Sequence, residues 1–126
     1  MAAGDFSSGE RYDLDRTIRS AEQSSRWEFS VFVGTAEGDP RAFASRLHAS
    51  LVAPARSILV MVDPTIRAIE VVTGTDVRRH LTDGEVELAV LHMKSAFAEG
   101  DLVGGLKRGI CMLADHARAP QTLHAH

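Results

Sequence analysis

Five acidic residues, Glu37, Asp39, Asp63, Glu99 and Asp101, are the side chains of this chain whose types and placement could do chemistry. Hard divalent cations take several oxygen ligands, and carboxylates with loop carbonyls supply them. The chemistry on offer is therefore calcium or magnesium binding. Gathered like charges also repel, and a cation relieves that repulsion. Each acid has a second explanation. Asp39 before Pro40 is a helix cap, Asp63 before Pro64 a turn former, Asp101 the cap of a last helix, and Glu37 and Glu99 solvated surface. The spacing contains no ordered calcium loop of the EF-hand kind. Both readings stand on the sequence.

A cation held by Asp39, Asp63 and Asp101 would polarise phosphoryl oxygens, so a metal-assisted phosphomonoesterase is the alternative to a non-catalytic accessory module. Phosphate recognition is its weak point, with Arg41 the best-placed cation. No nucleophile with a partnered base, metal-finger spacing or phosphate-cradling glycine loop appears, and no organic cofactor is expected. His48, His80, His92 and His116 are scattered, none at a recognisable spacing from an acid, and read as boundary residues. Cys111 is expected to pack beside an apolar stripe as a small hydrophobe. Glu70, interrupting an apolar strand, is expected to pair with Arg67.

The elements that must position these acids follow from periodicity and caps. Ser7 with Glu10 has the form of a capping box, and Leu14, Ile18 and Ala21 continue at helical spacing to about residue 24. Trp27 to Val33 alternate as a strand. Asp39 and Pro40 open a second helix striped by Phe43, Leu47 and Leu51, which Pro54 closes. Ser57 to Val62 is apolar on both faces, as a central strand covered by helices should be. Strand, helix and strand in succession make these two strands parallel, whereas the short turn at Asp63 and Pro64 returns Ala68 to Thr73 antiparallel.

Thr82 with Glu85 caps a third helix whose inward face carries Val86, Ala89, Val90, Met93 and Phe97. Gly100 stops it, and a fourth follows with Leu102, Leu106, Ile110, Leu113 and Ala117 as its stripe. Gly104, Gly105 and Gly109 leave one side of that helix bare for close intrachain packing. The predicted fold class is a three-layer α/β/α sandwich with a small mixed sheet and about four helices. Open α/β folds bind ligands at the carboxyl ends of their parallel strands. The third helix, rising about 1.5 Å per residue, returns Glu99 and Asp101 to that edge, so the five acids converge on one rim. Glu22, Glu28, Asp76, Asp83, Arg78 and Arg79 gather at the opposite edge as a salt-bridged surface.

Three segments, SSGERYDLDRTIRSAEQSSRWEFSVFV, VVTGTDVRRHLTD and FAEGDLVGGLKRGI, resemble the TPM domain superfamily, and within it an uncharacterised actinobacterial branch. The likeness lies in the capped first helix with Ala21, Glu22 and Glu28, the strand–glycine–loop–helix passage, and the glycine-acid helix start. It implies an α/β/α sandwich. For some members it implies calcium binding, weak acid-phosphatase activity, or accessory roles with membrane protein complexes.

At 126 residues, 44% hydrophobic and 25% charged, the chain has the size and composition of one globular domain, expected over residues 1–119 with a flexible tail over 120–126. The tail's LHAH could hold a soft metal weakly. A net charge of -3 argues against nucleic acid, whose binding depends on neutralising phosphates. One cysteine suits a reducing, cytoplasmic setting. No apolar run approaches the roughly 20 residues of a membrane span, and no signal peptide is visible. The expected partner is another protein, in a membrane-associated complex or elsewhere, without direct membrane insertion.

Overall fold

The computed structural model describes residues 6–118, so the tail expected over 120–126 lies outside the described residues. The chain runs α1 (Ser8–Ser25), β1 (Glu28–Val33), α2 (Pro40–Ala49), β2 (Ser57–Asp63), β3 (Ala68–Thr73), α3 (Asp83–Ala98) and α4 (Leu102–Ala117). Short 3-10 turns precede β2 and follow β3, at Pro54–Arg56 and Val77–Arg79. The sheet order is β1-β2-β3, with β1 and β2 parallel and β2 and β3 antiparallel.

Caps set the helix starts. Ser7 Oγ accepts from the Glu10 N–H at 3.1 Å, and Glu10 Oε1 accepts from the Ser7 N–H at 2.9 Å. Thr82 and Glu85 repeat this box at α3, so two of the backbone donors that each helix start exposes are satisfied. Gly100, at φ +84°, ends α3 in a Schellman motif. Its N–H donates to the Phe97 carbonyl, and the Asp101 N–H donates to the Ala96 carbonyl. Helix α1 instead ends on Arg26 at φ 72°, a left-handed position that favours glycine.

Alternation along β2 divides the core. Ile58, Val60 and Val62 face α1, α3 and α4 in the larger cluster, whereas Leu59 and Met61 face α2 with Ala44 and Val72. Every residue of β2 is buried because both sheet faces are covered. Helices α3 and α4 pack closely where α4 lacks side chains. A Cβ on Gly105 would meet Ala96 and Phe97, and one on Gly109 would meet Met93. The Trp27 indole N–H donates to the Ala117 carbonyl, fastening the end of α4 to the start of β1.

Four details differ from the sequence expectation. Glu70 pairs with Arg41 at 3.3 Å, not with Arg67, because residue 70 shares the α2 face of β3 while residue 67 lies in the preceding turn. Cys111 is exposed rather than packed, lying just off the buried line of Ile110, Leu113 and Ala114. Of the six residues expected to form a salt-bridged surface at the opposite edge, none makes an ion pair with another described residue. Glu22 accepts from the Phe29 N–H at 3.0 Å, and Arg78 donates to the Thr73 carbonyl. His116 does meet an acid, placing Nδ1 3.2 Å from Glu85 Oε2 across the α3–α4 interface.

Candidate functional site

The five acids predicted to form a rim are each engaged by the local backbone or turned to solvent. Asp63 ends β2 at 1% exposure. Its Oδ2 accepts from the Ala36 N–H at 2.8 Å, and its Oδ1 accepts from the Thr65 N–H at 3.0 Å and the Thr65 hydroxyl at 2.6 Å. The carboxylate therefore staples the segment after β1 to the β2–β3 turn. The Thr65 hydroxyl first, then the Ala36 N–H, hold its pKa below the ordinary 3.8, while burial opposes them.

Asp39 caps α2 by accepting from the Ala42 N–H at 2.9 Å. Asp101 caps α4 by accepting from the Gly104 N–H at 2.9 Å, and its second oxygen lies 3.3 Å from Arg108. Glu37 and Glu99 are exposed. Among the described residues no group of three or more His, Cys, Asp or Glu side chains is disposed to hold a metal ion. Arg41, the expected phosphate ligand, donates to the Val71 carbonyl at 2.8 Å besides pairing with Glu70.

Two histidines make polar contacts within the fold, and His80 lies against the Trp27 ring at 5.6 Å between centroids. His48 is buried in α2 with Nε2 3.0 Å from the Ser57 carbonyl. His116 pairs with Glu85, whose carboxyl is held below its ordinary pKa, mainly by the Thr82 N–H and also by His116.

A pocket of about 550 Å³ opens beside this edge, lined by residues from four elements and the links between them. Val62 and Ile69, opposite each other in the β2–β3 ladder, lie at the end of the larger core. Phe97, Ala98 and Lys94 come from one face of α3 at helical spacing, and Gly100 and Leu102 from the α3–α4 corner. Pro64, Arg67 and Ala68 complete it from the β2–β3 turn. Ligand pockets commonly span about 300–1,000 Å³ and are mainly apolar with a few polar groups.

Both cations in the lining are exposed, and among the described residues neither makes a hydrogen bond or ion pair. Arg67 also sits at φ 56°, a left-handed conformation that the Cβ of a non-glycine residue disfavours. Sequence reasoning missed this pocket because its residues come from separate elements with no shared spacing. Glu70 drew Arg67 into an expected ion pair, so the free guanidinium was not visible. A second, shallower pocket of about 380 Å³ lies along α3 and includes Leu88, Leu91, Glu99 and Arg108.

A family model described as a domain of unknown function, DUF5130, matches residues 2–114. An uncharacterised protein of Mycobacterium tuberculosis, matched in two strains, is 31% identical over 101 residues. The match covers 80% of this chain and 60% of that protein, so the chain spans about three fifths of the curated relatives it matches. The NMR structure of the BA42 protein from the psychrophilic bacterium Bizionia argentinensis is similar at a TM-score of 0.80 and 17% identity. That likeness covers 90% of this chain and 81% of the other. The N-terminal domain of a Corynebacterium glutamicum protein is similar at a TM-score of 0.74 and 17% identity, covering 98% of this chain and 84% of that one. At these identities the structural likenesses show a shared fold.

Proposed function

The chain belongs to the DUF5130 family, a domain of unknown function, and we propose that it is a non-catalytic binding module with its ligand site in the pocket between the β2–β3 turn and the α3–α4 corner. One observation carries the reading. Among the described residues the lining holds no carboxylate, imidazole, hydroxyl or thiol, and its one amine, on Lys94, stands exposed without a partner base. Such a surface offers apolar contact and positive charge but no paired acid and base or activated nucleophile.

The alternative, a metal-assisted phosphomonoesterase at the acidic edge, has less support. Asp63 uses both oxygens on the fold, Asp39 and Asp101 are caps, and Arg41 is committed to Glu70 and Val71. A calcium or magnesium ion there would share carboxylates that already accept these hydrogen bonds.

Kinship with the TPM domain superfamily belongs to the same proposal. Its support is the capped start of α1, the passage from β3 through Gly74 to α3, and the Gly100–Asp101 start of α4. An accessory role beside a partner protein is the wider form of the reading, and Leu88 and Leu91 on α3, 52% and 56% exposed, support it. A cytoplasmic setting is part of the proposal too, supported by the free thiol of Cys111.

Two assays on chelator-stripped protein test the reading. The fluorescence of anilinonaphthalene sulfonate, a dye that brightens in apolar sites, should rise with the native protein and not with Ala98→Trp, which fills the pocket from its exposed side. Nitrophenyl phosphate should stay intact with calcium or magnesium present, and calorimetry should detect no stoichiometric uptake of either ion. Uptake or turnover that disappears in Asp63→Asn would overturn the module in favour of the acidic edge.

A further inference from the structure

We propose that the pocket takes an amphiphilic monocarboxylate, its aliphatic tail laid against Ile69, Phe97 and Leu102 and its carboxylate received by Arg67 and Lys94. This inference rests on the module reading and names the ligand class for it.

The lining combines two chemistries. Its walls are aliphatic and aromatic side chains that continue the larger core outward, so they favour a hydrocarbon body over a polar one. Ile66, next to Arg67 in the chain and 56% exposed, adds apolar surface to the β2–β3 turn. Arg67 reaches the lining from the β2–β3 turn and Lys94 from α3. The acids of the predicted rim at this edge have other surroundings. Asp63 faces Ala36 and Thr65, Asp101 is held by Gly104 and Arg108, and Glu99 lines the other pocket.

Charge complementarity then selects the ligand's head group. An uncompensated guanidinium and ammonium favour a carboxylate, which accepts from both and is matched by the planar guanidinium fork. A cationic amphiphile would meet two like charges. The chain as a whole carries -3, so the positive mouth is a local feature and not the tail of a basic surface. The start of α4 contributes no free anion site, since Asp101 already accepts from the Gly104 N–H. Arg67 keeps its place at φ 56° although glycine would fit that backbone better, which is intelligible if its side chain works at the mouth.

The test is a calorimetric titration of the intact chain with decanoate below its micelle threshold, beside octanoate, decanol and decyltrimethylammonium. Decanoate should bind at one site. Octanoate, two methylenes shorter, should bind about fifteenfold more weakly, since each buried methylene is worth about fourfold. Decanol should bind more weakly than decanoate, and the cationic amphiphile should not bind. Arg67→Gln with Lys94→Gln should weaken decanoate about tenfold, the scale of two solvent-exposed charge contacts, and leave thermal stability unchanged. Ala98→Trp should abolish binding. If Ala98→Trp fails to fold, the double Gln variant still decides, because both its positions are exposed.

Equal affinity for decanoate and decyltrimethylammonium, or indifference to the double Gln variant, would overturn the carboxylate class. With the dye still bound, the module reading would survive that result. Loss of both dye and decanoate binding in the native protein would sink both. Binding to phosphatidylglycerol vesicles with none to dispersed decanoate would overturn the proposal and assign the mouth to an anionic membrane surface.

Discussion

The carboxylate of Asp63 shows what one buried acid does at the end of a strand. It accepts from Ala36 and Thr65, so the chain after β1 and the turn after β2 share one anchor. Its pKa is lowered in the folded state from an ordinary 3.8. A depressed carboxyl contributes stability that is full above the unfolded pKa and is lost as pH falls through the folded one. The native protein should therefore weaken in acid below about pH 4, and Asp63→Asn should flatten that limb of a denaturation series. At neutral pH, Asp63→Ala should cost about 3 kcal/mol, because it removes charge-assisted bonds and leaves a donor unsatisfied. Urea midpoints measured across pH check both. The turn-former role that the sequence offers for Asp63 before Pro64 is carried by these bonds to Thr65.

At the scale of elements, the α3–α4 pair depends on missing side chains. Gly105 and Gly109 let α4 approach Ala96, Phe97 and Met93, so any side chain there must displace packed atoms. Gly105→Leu should destabilise the fold by about 3 kcal/mol or more, the upper range for overpacking, and lower the melting temperature by roughly 10 °C. Gly9 is the control, since it lies in the first turn of α1 with no tight neighbour. Gly9→Ala should raise stability by about 0.5 kcal/mol through helix propensity. Equal effects at the two positions would contradict close helix packing. The third element-scale feature, the turn holding Arg67, places one rim of the pocket while α3 supplies the other.

Across the whole molecule, the sheet separates two unequal cores. Three helices cover one face, whereas α2 alone covers the other over a small cluster of Ala44, Leu59, Met61 and Val72. Local opening costs least where few apolar groups are buried. Hydrogen exchange should find the α2 amides opening well before those of α3, α4 and β2, with β2 exchanging only on global unfolding. Protection of α2 equal to that of α4 would show that the smaller cluster is as firmly packed as the larger.

Much of this architecture was legible because its causes are local in sequence. Ser7 with Glu10, Thr82 with Glu85, and Asp39 with Pro40 mark helix starts by hydrogen bonds spanning three residues. The unbroken apolar run of β2 marked a strand buried on both faces, and the short turn after Asp63 required an antiparallel return. The bare side of α4 was correctly read as packing surface.

The partners of side chains were not legible, because they are set by where separate elements meet. Glu70 met Arg41 through the face of β3 that α2 covers, His116 met Glu85 across two helices, and Asp63 turned inward to Ala36. The sequence by itself determined the elements, their order and the direction of the strands, since caps, periodicity and turn length act over a few residues. What came only from the tertiary structure is that Asp63, Asp39 and Asp101 accept hydrogen bonds within the fold and that Arg67, Lys94 and Phe97 share a pocket, since that proximity comes from packing and leaves no spacing along the chain.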